Sequence, residues 1–321
     1  MPHLETANVL RHDPVGPDLY ELELSAPQTA SAAVPGQFVH IHVRPVWNSQ
    51  QQPSASAQPC RQVQAQAQPQ PSAQSFPQPL LRRPFSISGV DSQVRGSIAI
   101  LYKVRGAGTA LLTNVRPGDC LDVMGPLGRG FSLPEPPARS AQASHALLIG
   151  GGLGIAPLVF LARTLAQTGH RVTVFYGANT ACETQSAVRG LQASCAEGSI
   201  QVFTTTLDGS AGLTGIVTDL LTAEPSAAAL SDVDFIYTCG PEPMMAAVEQ
   251  FATARHIPGE MSLETALACG VGACLGCARR LKADPGAGPV YARVCKDGPV
   301  FSIGQVELNP VPRGEEECKC M

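Results

Sequence analysis

The stretch HALLIGGGLGIAPLVFLARTLAQTGHRVTVFY, residues 145–176, decides the fold of the second half of the chain. An apolar run leads into a glycine-rich turn, a segment with helical spacing, and a second apolar run. Continuous apolar runs are typical of strands that are buried on both faces, and a crossover helix joins such strands in parallel. We therefore predict strands over 145–149 and 171–176, a helix over 156–167, and a parallel sheet.

The alternation of strands and helices continues towards the C-terminus. Further strands are predicted over 200–206 and 234–238, with helices over 215–221 and 242–255. This order favours a doubly wound α/β domain, which we assign to residues 144–258.

Short strands replace this pattern in the first part of the chain. Apolar and polar residues alternate over 20–24 and 38–43, as in strands with one buried face, and 97–104 and 120–124 are similar in length and composition. Turns containing Pro and Gly separate them. The pattern favours an antiparallel β-barrel, which we assign to residues 1–135.

Two segments differ in composition from both domains. Residues 48–79 are rich in Gln, Pro, Ser and Ala and contain few large apolar side chains. They cannot bury enough surface to offset their ordering entropy, so we predict a disordered insertion. Residues 259–321 are rich in Cys and Gly and end in an acidic tail, which predicts a small region organised around something other than a hydrophobic core.

Composition excludes several functional classes. The 321 residues are 44% hydrophobic and 15% charged, and the net charge of −4 argues against a nucleic-acid-binding protein. No apolar run is long and uninterrupted enough to predict insertion into a membrane. The N-terminus lacks the features of a signal peptide, so we expect a cytoplasmic protein whose cysteines are metal ligands or buried thiols more often than disulfides.

Four of the eleven cysteines form a ligand pattern. Cys269, Cys274, Cys277 and Cys295 have the spacing Cys-x4-Cys-x2-Cys-x17-Cys, which is typical of plant-type [2Fe–2S] clusters. The glycines between them allow a tight loop that brings backbone N–H groups towards the sulfurs. Zinc is the alternative metal, but structural zinc sites usually contain two Cys-x2-Cys pairs, and this pattern has one. No ligand role is assigned to Cys60, Cys120, Cys182, Cys195, Cys318 and Cys320.

The glycine turn GGGLGIAP at 150–157 is a candidate nucleotide site. Such a turn lets the backbone approach a pyrophosphate, although it also fits a tight strand-to-helix connection. The loop TCGPEPMM at 238–245 follows another strand of the same predicted sheet, and open α/β sheets bind ligands at the carboxyl edge of their strands. The residues nominated for this site are Gly150, Gly151, Gly152, Gly154, Cys239, Gly240 and Pro241.

The segment RPFSIS at 83–88 is a third candidate. An arginine beside an aromatic ring and a hydroxyl can hold a phosphate, cover a flat ring and bond its edge. Alone, the segment also fits an ordinary half-exposed strand, so its meaning depends on the other motifs.

In their order along the chain, RPFSIS, the glycine turn and the spaced cysteines together resemble the ferredoxin-reductase-type flavoproteins. In those proteins an FAD-binding barrel precedes a pyridine-nucleotide domain. The sequences LETALACGVGACLGC (263–277) and VCKDGPVF (294–301) look like those of the electron-transfer subunits of class 1B dihydroorotate dehydrogenase. The similarity covers nearly the whole chain outside the insertion and the tail. Three departures are the longer insertion, the tail EEECKC at 315–320, and Phe85, which stands where many relatives have tyrosine.

The resemblance implies three cofactors: FAD, a [2Fe–2S] cluster and NAD. It implies that the four spaced cysteines are cluster ligands and that Cys239 lies near the nicotinamide. No histidine or carboxylate is nominated as a catalytic residue. The implied FAD contacts are Arg83, Pro84, Phe85, Ser86, Leu101, Tyr102, Lys103, Gly108 and Thr109.

The implied function is electron relay in pyrimidine biosynthesis. A partner catalytic subunit oxidises dihydroorotate at its FMN, electrons cross the cluster and the FAD of this chain to NAD⁺, and two subunits of each kind form a heterotetramer. NAD is favoured over NADP because residues 178–183 contain no arginine and include Glu183, which would repel a 2′-phosphate. Two alternatives stay open: a subunit serving a hydrogenase or a ferredoxin:NAD(P) oxidoreductase, and a redox sensor without turnover.

Overall fold

The computed structural model describes residues 2–43, 61–62, 80–91, 96–134, 143–192, 200–283 and 288–308. The strands of these ranges are β1 (His3–Gly16), β2 (Leu19–Ser25), β3 (Phe38–His42), β4 (Arg61–Gln62), β5 (Arg83–Asp91), β6 (Ser97–Lys103), β7 (Asp119–Leu127), β8 (His145–Gly151), β9 (Arg171–Ala178), β10 (Ile200–Thr206), β11 (Leu213–Thr214), β12 (Phe235–Cys239), β13 (Gly259–Ser262), β14 (Ala278–Arg280), β15 (Tyr291–Arg293) and β16 (Val300–Ser302). The α-helices are α1 (Pro27–Ala32), α2 (Ala107–Leu112), α3 (Ile155–Gln167), α4 (Ala181–Gln192), α5 (Glu224–Ala227) and α6 (Glu242–Ala254).

Six strands close the antiparallel barrel that the alternating segments predicted. Their order is β1-β2-β6-β5-β3-β7, and β7 pairs again with β1. Because side chains alternate across each strand, Leu22 and Leu24 of β2 meet Ile98 and Ile100 of β6 inside the barrel. The short strand β4 lies in the predicted insertion and pairs in parallel with β7, while the rest of the insertion lies outside the described residues.

A second sheet confirms the predicted doubly wound domain. Strands β11-β10-β9-β8-β12-β13 are parallel, and β16 adds an antiparallel edge strand. Ala146 and Leu148 of β8 pack with α3 and α4 on one face, whereas Leu147 and Ile149 pack with α6 on the other. The helix predicted over 215–221 is instead a short 3₁₀ turn, Val217–Leu221, which begins where the carboxylate of Asp219 accepts a hydrogen bond from the backbone N–H of Ile216 at 2.8 Å.

The cysteine-rich region is built onto this sheet. β14 and β15 form a small antiparallel hairpin, and β16 pairs with β13, so the sheet extends past the predicted domain boundary at residue 259. Phe38 and Leu127 of the barrel share one hydrophobic cluster with Cys277, Cys295 and Phe301 of the cysteine-rich region and with the core of the parallel sheet. The three regions therefore meet around a common core.

Candidate functional site

A cavity of about 210 Å³ lies where the three regions meet. The barrel contributes residues of β3, β5 and β6, the parallel-sheet domain contributes the ends of the two predicted ligand loops, and the cysteine-rich region closes the remaining side. We call it the junction cavity. Its lining consists of Phe38, Pro84, Phe85, Ser86, Leu101, Leu153, Ala156, Cys239, Ser262, Leu263, Glu264, Thr265, Leu267, Val294 and Pro299.

Four of the nominated flavin residues line the junction cavity: Pro84, Phe85, Ser86 and Leu101. They offer an aromatic ring, a hydroxyl and aliphatic surface, which suit a flat heteroaromatic ligand with polar edges. Since the hydroxyl of Ser86 both donates and accepts hydrogen bonds, it can bond such an edge in either sense.

Arg83, Gly108 and Thr109 lie together beside this cavity. The Arg83 guanidinium passes over Gly108 so closely that a Cβ on Gly108 would lie 2.7 Å from its Nε. The Thr109 hydroxyl accepts hydrogen bonds from the backbone N–H groups of Arg105 at 2.9 Å and Gly106 at 3.2 Å, which closes the turn before α2. Contact between Arg83 and Gly108 thus requires glycine at position 108, because any side chain there would displace the cation.

The side chains of Tyr102 and Lys103 do not line the junction cavity, because strand alternation turns Tyr102 into the barrel and Lys103 extends to Glu183. Tyr102 is 1% exposed, its hydroxyl lies 2.9 Å from Nε2 of His12 inside the barrel, and burial raises its pKa above the usual range. Lys103 donates to Glu183 of α4 at 2.7 Å and joins the barrel to the other domain. Any contact that these two residues make with a ligand in the junction cavity is therefore through the backbone.

A second cavity, of about 470 Å³, lies at the carboxyl edge of the parallel sheet. Gly151, Gly152 and Pro241 of the nominated residues line it, and Arg105 of the barrel closes one side. We call it the sheet-edge cavity. The other lining residues are Gly177, Ala178, Asn179, Leu207, Gly215, Ile216, Val217, Thr218, Pro243, Met244 and Ala247.

Gly150, Gly154 and Gly240 shape this edge. The turn after β8 and the loop after β12 touch, because a Cβ on Gly154 would lie 2.5 Å from the carbonyl carbon of Cys239 and 2.7 Å from the nitrogen of Gly240. Gly240 has a φ of +153°, a conformation that L side chains rarely adopt. Gly150 packs tightly against Ile155, since a Cβ there would lie 3.1 Å from its Cδ1. The structure thus brings both predicted loops to one edge.

Cys239 ends β12 and lines the junction cavity instead of the sheet-edge cavity. Burial raises the pKa of its thiol well above the usual value, and the nearby charge of Glu264 adds to this effect, although a hydrogen bond with Ser262 opposes it. The side chain is therefore a neutral thiol at the wall between the two predicted ligand sites, and it is not an activated nucleophile.

Glu264 and Arg105 are site residues that the sequence analysis missed. Glu264 lines the junction cavity. The surrounding protein raises the pKa of its carboxyl, and the positive charge of Arg105 offsets part of this increase. Glu264 lies inside the quoted run before Cys269, and Arg105 lies two residues after the nominated Lys103. No spacing rule links them, because their proximity arises only when the cysteine-rich region folds back onto the barrel.

The four spaced cysteines lie in and beside one loop. The sulfur of Cys269 accepts hydrogen bonds from the backbone N–H groups of Ala273 at 3.3 Å and Cys274 at 3.4 Å, and the sulfur of Cys295 accepts one from Gly272 at 3.1 Å. The sulfurs of Cys277 and Cys295 are 3.3 Å apart. The structure therefore brings the predicted ligands into one loop region, with backbone donors aimed at the sulfurs of Cys269 and Cys295.

The chemistry of these thiols fits a metal–sulfur centre. Although partial burial raises it, the pKa of Cys269 is lowered overall to about 6 by backbone N–H groups, including those of Cys274 and Val271. Burial and the neighbouring Cys277 raise the pKa of Cys295 to about 12, so a cation bound there would displace a proton from the Cys295 thiol. Within the described ranges, no group of three or more His, Cys, Asp or Glu side chains is arranged to hold a single metal ion.

The cysteine loop has a buried side and an exposed side. Cys277 and Cys295 are 3% and 2% exposed, and Val294, next to Cys295, lines the junction cavity. On the other side Cys274 is exposed, and the neighbouring Leu275 is 62% exposed. A centre held by these thiols would lie between the junction cavity and the protein surface.

The other two cysteines in the described part of the chain, Cys120 and Cys182, belong to no second ligand set. Cys182 is a free, exposed thiol, and Cys120 is disulfide-bonded, which departs from the expectation of reduced cysteines. The remaining four, Cys60, Cys195, Cys318 and Cys320, lie outside the described residues. Every helix of the described ranges falls short of the length and hydropathy that a membrane-spanning helix needs.

Comparison with known families gives two matches. Residues 264–307 match the iron-sulfur cluster binding domain of dihydroorotate dehydrogenase B, and residues 148–250 match the oxidoreductase NAD-binding domain. These ranges contain the cysteine loop and most of the parallel sheet.

Several relatives that are similar over most of the chain share the name dihydroorotate dehydrogenase B (NAD(+)), electron transfer subunit. The protein from Geobacillus sp. (strain WCH70) is 36% identical over 95% of this chain and 98% of its own length. The proteins from Bacillus caldolyticus and Desulforamulus reducens are 38% and 37% identical over 90% and 94% of this chain, and over 93% and 97% of their own lengths.

Solved structures share the fold at lower identity. The NADH-dependent reduced ferredoxin-NADP oxidoreductase superposes with a TM-score of 0.68 at 23% identity, covering 94% of this chain and 90% of that one. A ferredoxin NADP⁺ reductase from Neisseria gonorrhoeae with bound FAD and NADP has a TM-score of 0.55 at 17% identity, covering 78% and 91% of the two chains. These likenesses establish a ferredoxin-reductase-like arrangement of barrel and parallel sheet.

Proposed function

The chain belongs to the family of dihydroorotate dehydrogenase B electron transfer subunits, and on this basis we propose that it relays electrons from a dihydroorotate-oxidising catalytic subunit to NAD⁺. It is an oxidoreductase subunit of pyrimidine biosynthesis that uses FAD, a [2Fe–2S] cluster and NAD. Its partner is the catalytic subunit, which we take to contain FMN and to assemble with this chain two plus two.

The junction cavity is the observation that carries this proposal. Barrel, parallel-sheet domain and cysteine-rich region all line it, so a flavin bound there would contact the regions assigned to both of its redox partners. A flavin accepts electrons one at a time and releases two as a hydride, which is the conversion that a relay from an iron–sulfur centre to NAD⁺ requires.

Residues of the barrel bind and orient the flavin in this proposal. Phe85 covers the ring, Ser86 bonds its polar edge, and Arg83 neutralises the pyrophosphate beside Gly108. Tyr102 supports Phe85 from inside the barrel, where their rings meet edge to face at 5.7 Å. The absence of a hydroxyl on Phe85 leaves Ser86 as the polar side chain of this strand at the cavity.

The opposite wall of the junction cavity accepts the nicotinamide. Cys239 presents a neutral thiol there, and the protein around Glu264 raises the pKa of its carboxyl. A raised carboxyl pKa disfavours a fixed negative charge next to the ring site, where hydride leaves and arrives. Closure of the cavity by Leu263 and Leu267 excludes water from the same place.

The rest of the dinucleotide lies in the sheet-edge cavity in this proposal. Gly151 and Gly152 let the backbone approach the pyrophosphate, and the Arg105 guanidinium provides a balancing charge. Leu207 and Ile216 are exposed apolar side chains at the far end, which suit an adenine ring.

Asp208, and not Glu183, is the carboxylate that favours NAD over NADP in this proposal. Glu183 is paired with Lys103 and hydrogen-bonded by Asn179, so its charge is compensated. Asp208 follows Leu207 of the sheet-edge cavity, and its backbone N–H donates to Asn179 at 3.2 Å. We propose that the carboxylate of Asp208 disfavours a 2′-phosphate.

Cys269, Cys274, Cys277 and Cys295 hold the [2Fe–2S] cluster in this proposal. The N–H groups of Gly272, Ala273 and Cys274 donate to the thiolates and offset their negative charge. Exposure of Cys274 and Leu275 leaves one side of the site open to the catalytic subunit. The cytoplasm is the proposed location, and cell fractionation tests it.

The test is anaerobic kinetics on the complex reconstituted with its catalytic subunit. We expect dihydroorotate to reduce NAD⁺, and NADH alone to bleach the flavin absorbance. Cys274→Ser should abolish the first reaction and preserve NADH oxidation by an artificial acceptor at the flavin, whereas the control Cys182→Ser should preserve both. The proposal fails if NADH does not bleach the bound flavin, and the ligand assignment fails if Cys274→Ser retains both reactions.

A further inference from the structure

His40 is a buried histidine of the barrel that presents its polar edge to the cysteine loop. It lies in β3, its side chain is 0% exposed, and it belongs to none of the nominated sites. A Cβ on Gly270 would lie 2.6 Å from Cε1, 2.8 Å from Nδ1 and 2.9 Å from Nε2 of the ring. The N–C–N edge of the imidazole therefore abuts the residue that follows Cys269.

Neither ring nitrogen of His40 has a hydrogen-bond partner among the described residues. Buried polar groups almost always have a partner, because water that they lose on folding must be replaced. Burial, together with the charge of Arg82, lowers the pKa of His40 to about 4, so the ring is neutral and carries one N–H donor. An acceptor that the protein itself does not supply is expected next to this ring.

Position makes the cysteine loop, and not the junction cavity, the place for that acceptor. Phe38, two residues earlier on the same face of β3, lines the junction cavity, and its ring centroid is 5.7 Å from that of His40. β3 thus runs from the junction cavity to the cysteine loop, with the ring of Phe38 at the cavity and the imidazole of His40 at the loop. Gly270, with a φ of +71°, has no side chain to separate the imidazole from the loop.

We propose that His40 donates its N–H to a sulfur of the bound [2Fe–2S] cluster on the side of Cys269. Thiolate and sulfide sulfurs carry no proton and accept hydrogen bonds, so they can accept one from the N–H of a neutral imidazole. The sulfur of Cys269 already accepts hydrogen bonds from the backbone N–H groups of Ala273 and Cys274. The inference rests on the proposed cluster site and assigns a barrel residue to it.

The hydrogen bond has a defined effect on electron transfer. Reduction adds one electron to the cluster and makes its sulfurs more negative, which strengthens an N–H···S bond and raises the reduction potential. No proton leaves His40. The barrel therefore helps to set the potential of a centre whose ligands all belong to another region of the chain.

Redox titration of the complex, monitored by electron paramagnetic resonance, tests the proposal. His40→Leu removes the donor and should change the ratio of reduced to oxidised cluster about tenfold at a fixed potential, a fall of about 59 mV in the midpoint for a one-electron couple. His40→Gln keeps an N–H donor and should restore part of the shift. The matched control is His42→Leu on the same strand, whose Nδ1 lies 4.0 Å from Asp122, and it should leave the midpoint unchanged.

Iron and sulfide content separate this inference from the cluster assignment. A wild-type complex without cluster overturns the proposed function, whereas a full complement of cluster with an unchanged midpoint in His40→Leu overturns only the role of His40. Should His40→Leu fail to fold, pulsed paramagnetic resonance of wild-type protein labelled with ¹⁵N-histidine supplies the decision. A weak imidazole coupling to the reduced cluster supports the hydrogen bond, and its absence refutes it.

Discussion

Gly154→Ala tests whether contact between the two ligand loops is required for dinucleotide binding. The backbone of Gly154 has φ −59° and ψ −11°, which alanine adopts without strain, so the substitution changes only the space that the residue occupies. The added Cβ would lie 2.5 Å from the carbonyl carbon of Cys239 and 2.7 Å from the nitrogen of Gly240. These are backbone atoms, which cannot rotate away as a flexible side chain can.

The size of the effect follows from that geometry. Ordinary van der Waals contact begins at 3.4 Å, so the two loops must separate by about 1 Å. Overpacking of this kind costs about 1–3 kcal/mol of unfolding free energy. A displacement of about 1 Å at a reacting site costs as much as about 100-fold in rate. We expect kcat/KM for NADH to fall by about 10- to 100-fold, since Cys239 stands between the two cavities.

Steady-state oxidation of NADH by an artificial acceptor measures the kinetic effect, and urea unfolding measures the stability. Gly190→Ala is the matched control. Gly190 lies in α4, and the only atom that an added Cβ would meet within 4 Å is Cγ1 of Val159, at 3.8 Å. That change should stabilise the protein by about 0.5–1 kcal/mol, since glycine is unfavourable in a helix interior. If Gly154→Ala matched the wild type in both measurements, the close approach of the loops would have no functional weight.

Three other predictions test the electrostatics of the site. Glu264→Gln should remove one step from the pH profile of NADH oxidation, a step that the raised pKa places above 4.5. If that step were still present in the variant, Glu264 would be excluded as the ionising group. Lys103→Met should lower the unfolding free energy by up to about 1 kcal/mol at pH 7. Although burial raises the pKa of Glu183, the hydrogen bond from Lys103 lowers it overall. The loss of stability should therefore be full above pH 4.5 and vanish as the pH falls through the lowered pKa. Urea unfolding across pH measures this loss, and a loss that persists at low pH would contradict the prediction. Asp208→Asn should reduce the ratio of kcat/KM for NADH to that for NADPH, while Glu183→Gln leaves it unchanged; the opposite pattern would return specificity to Glu183.

Local patterns in the sequence predicted the elements of the fold, because each depends on neighbours close in the chain. The run 145–149 has no polar residue after His145, and β8 lies at the centre of the parallel sheet, where both faces are covered. Alternation over 20–24 likewise predicted β2, because one face of that strand fills the barrel. Strand β16 has three residues and no pattern of its own, and its place at the sheet edge depends on pairing with β13.

The orientation of site residues was less predictable, since it depends on contacts between regions. Nomination of three consecutive residues of β6 conflicts with alternation, and the structure sends Leu101 to the junction cavity and Tyr102 to the barrel interior. That conflict was visible in the sequence. Glu264 and His40 are different, because each gains its meaning from a region more than a hundred residues away, and neither belongs to a spacing motif.

Fixed packing between the three regions suits an electron relay better than hinged domains would. Electron transfer between two bound centres depends on a constant separation, and a shared core resists the motions that would change it. Phe38 of the barrel packs in the same hydrophobic cluster as Cys277 and Cys295, so the wall of the junction cavity and two proposed cluster ligands share one core. β13 pairs with β16 and continues into Leu263 and Glu264 of the cavity wall. The cysteine-rich region is therefore a structural part of the junction cavity, the proposed flavin site, and a change that loosens β16 should disturb flavin and cluster together.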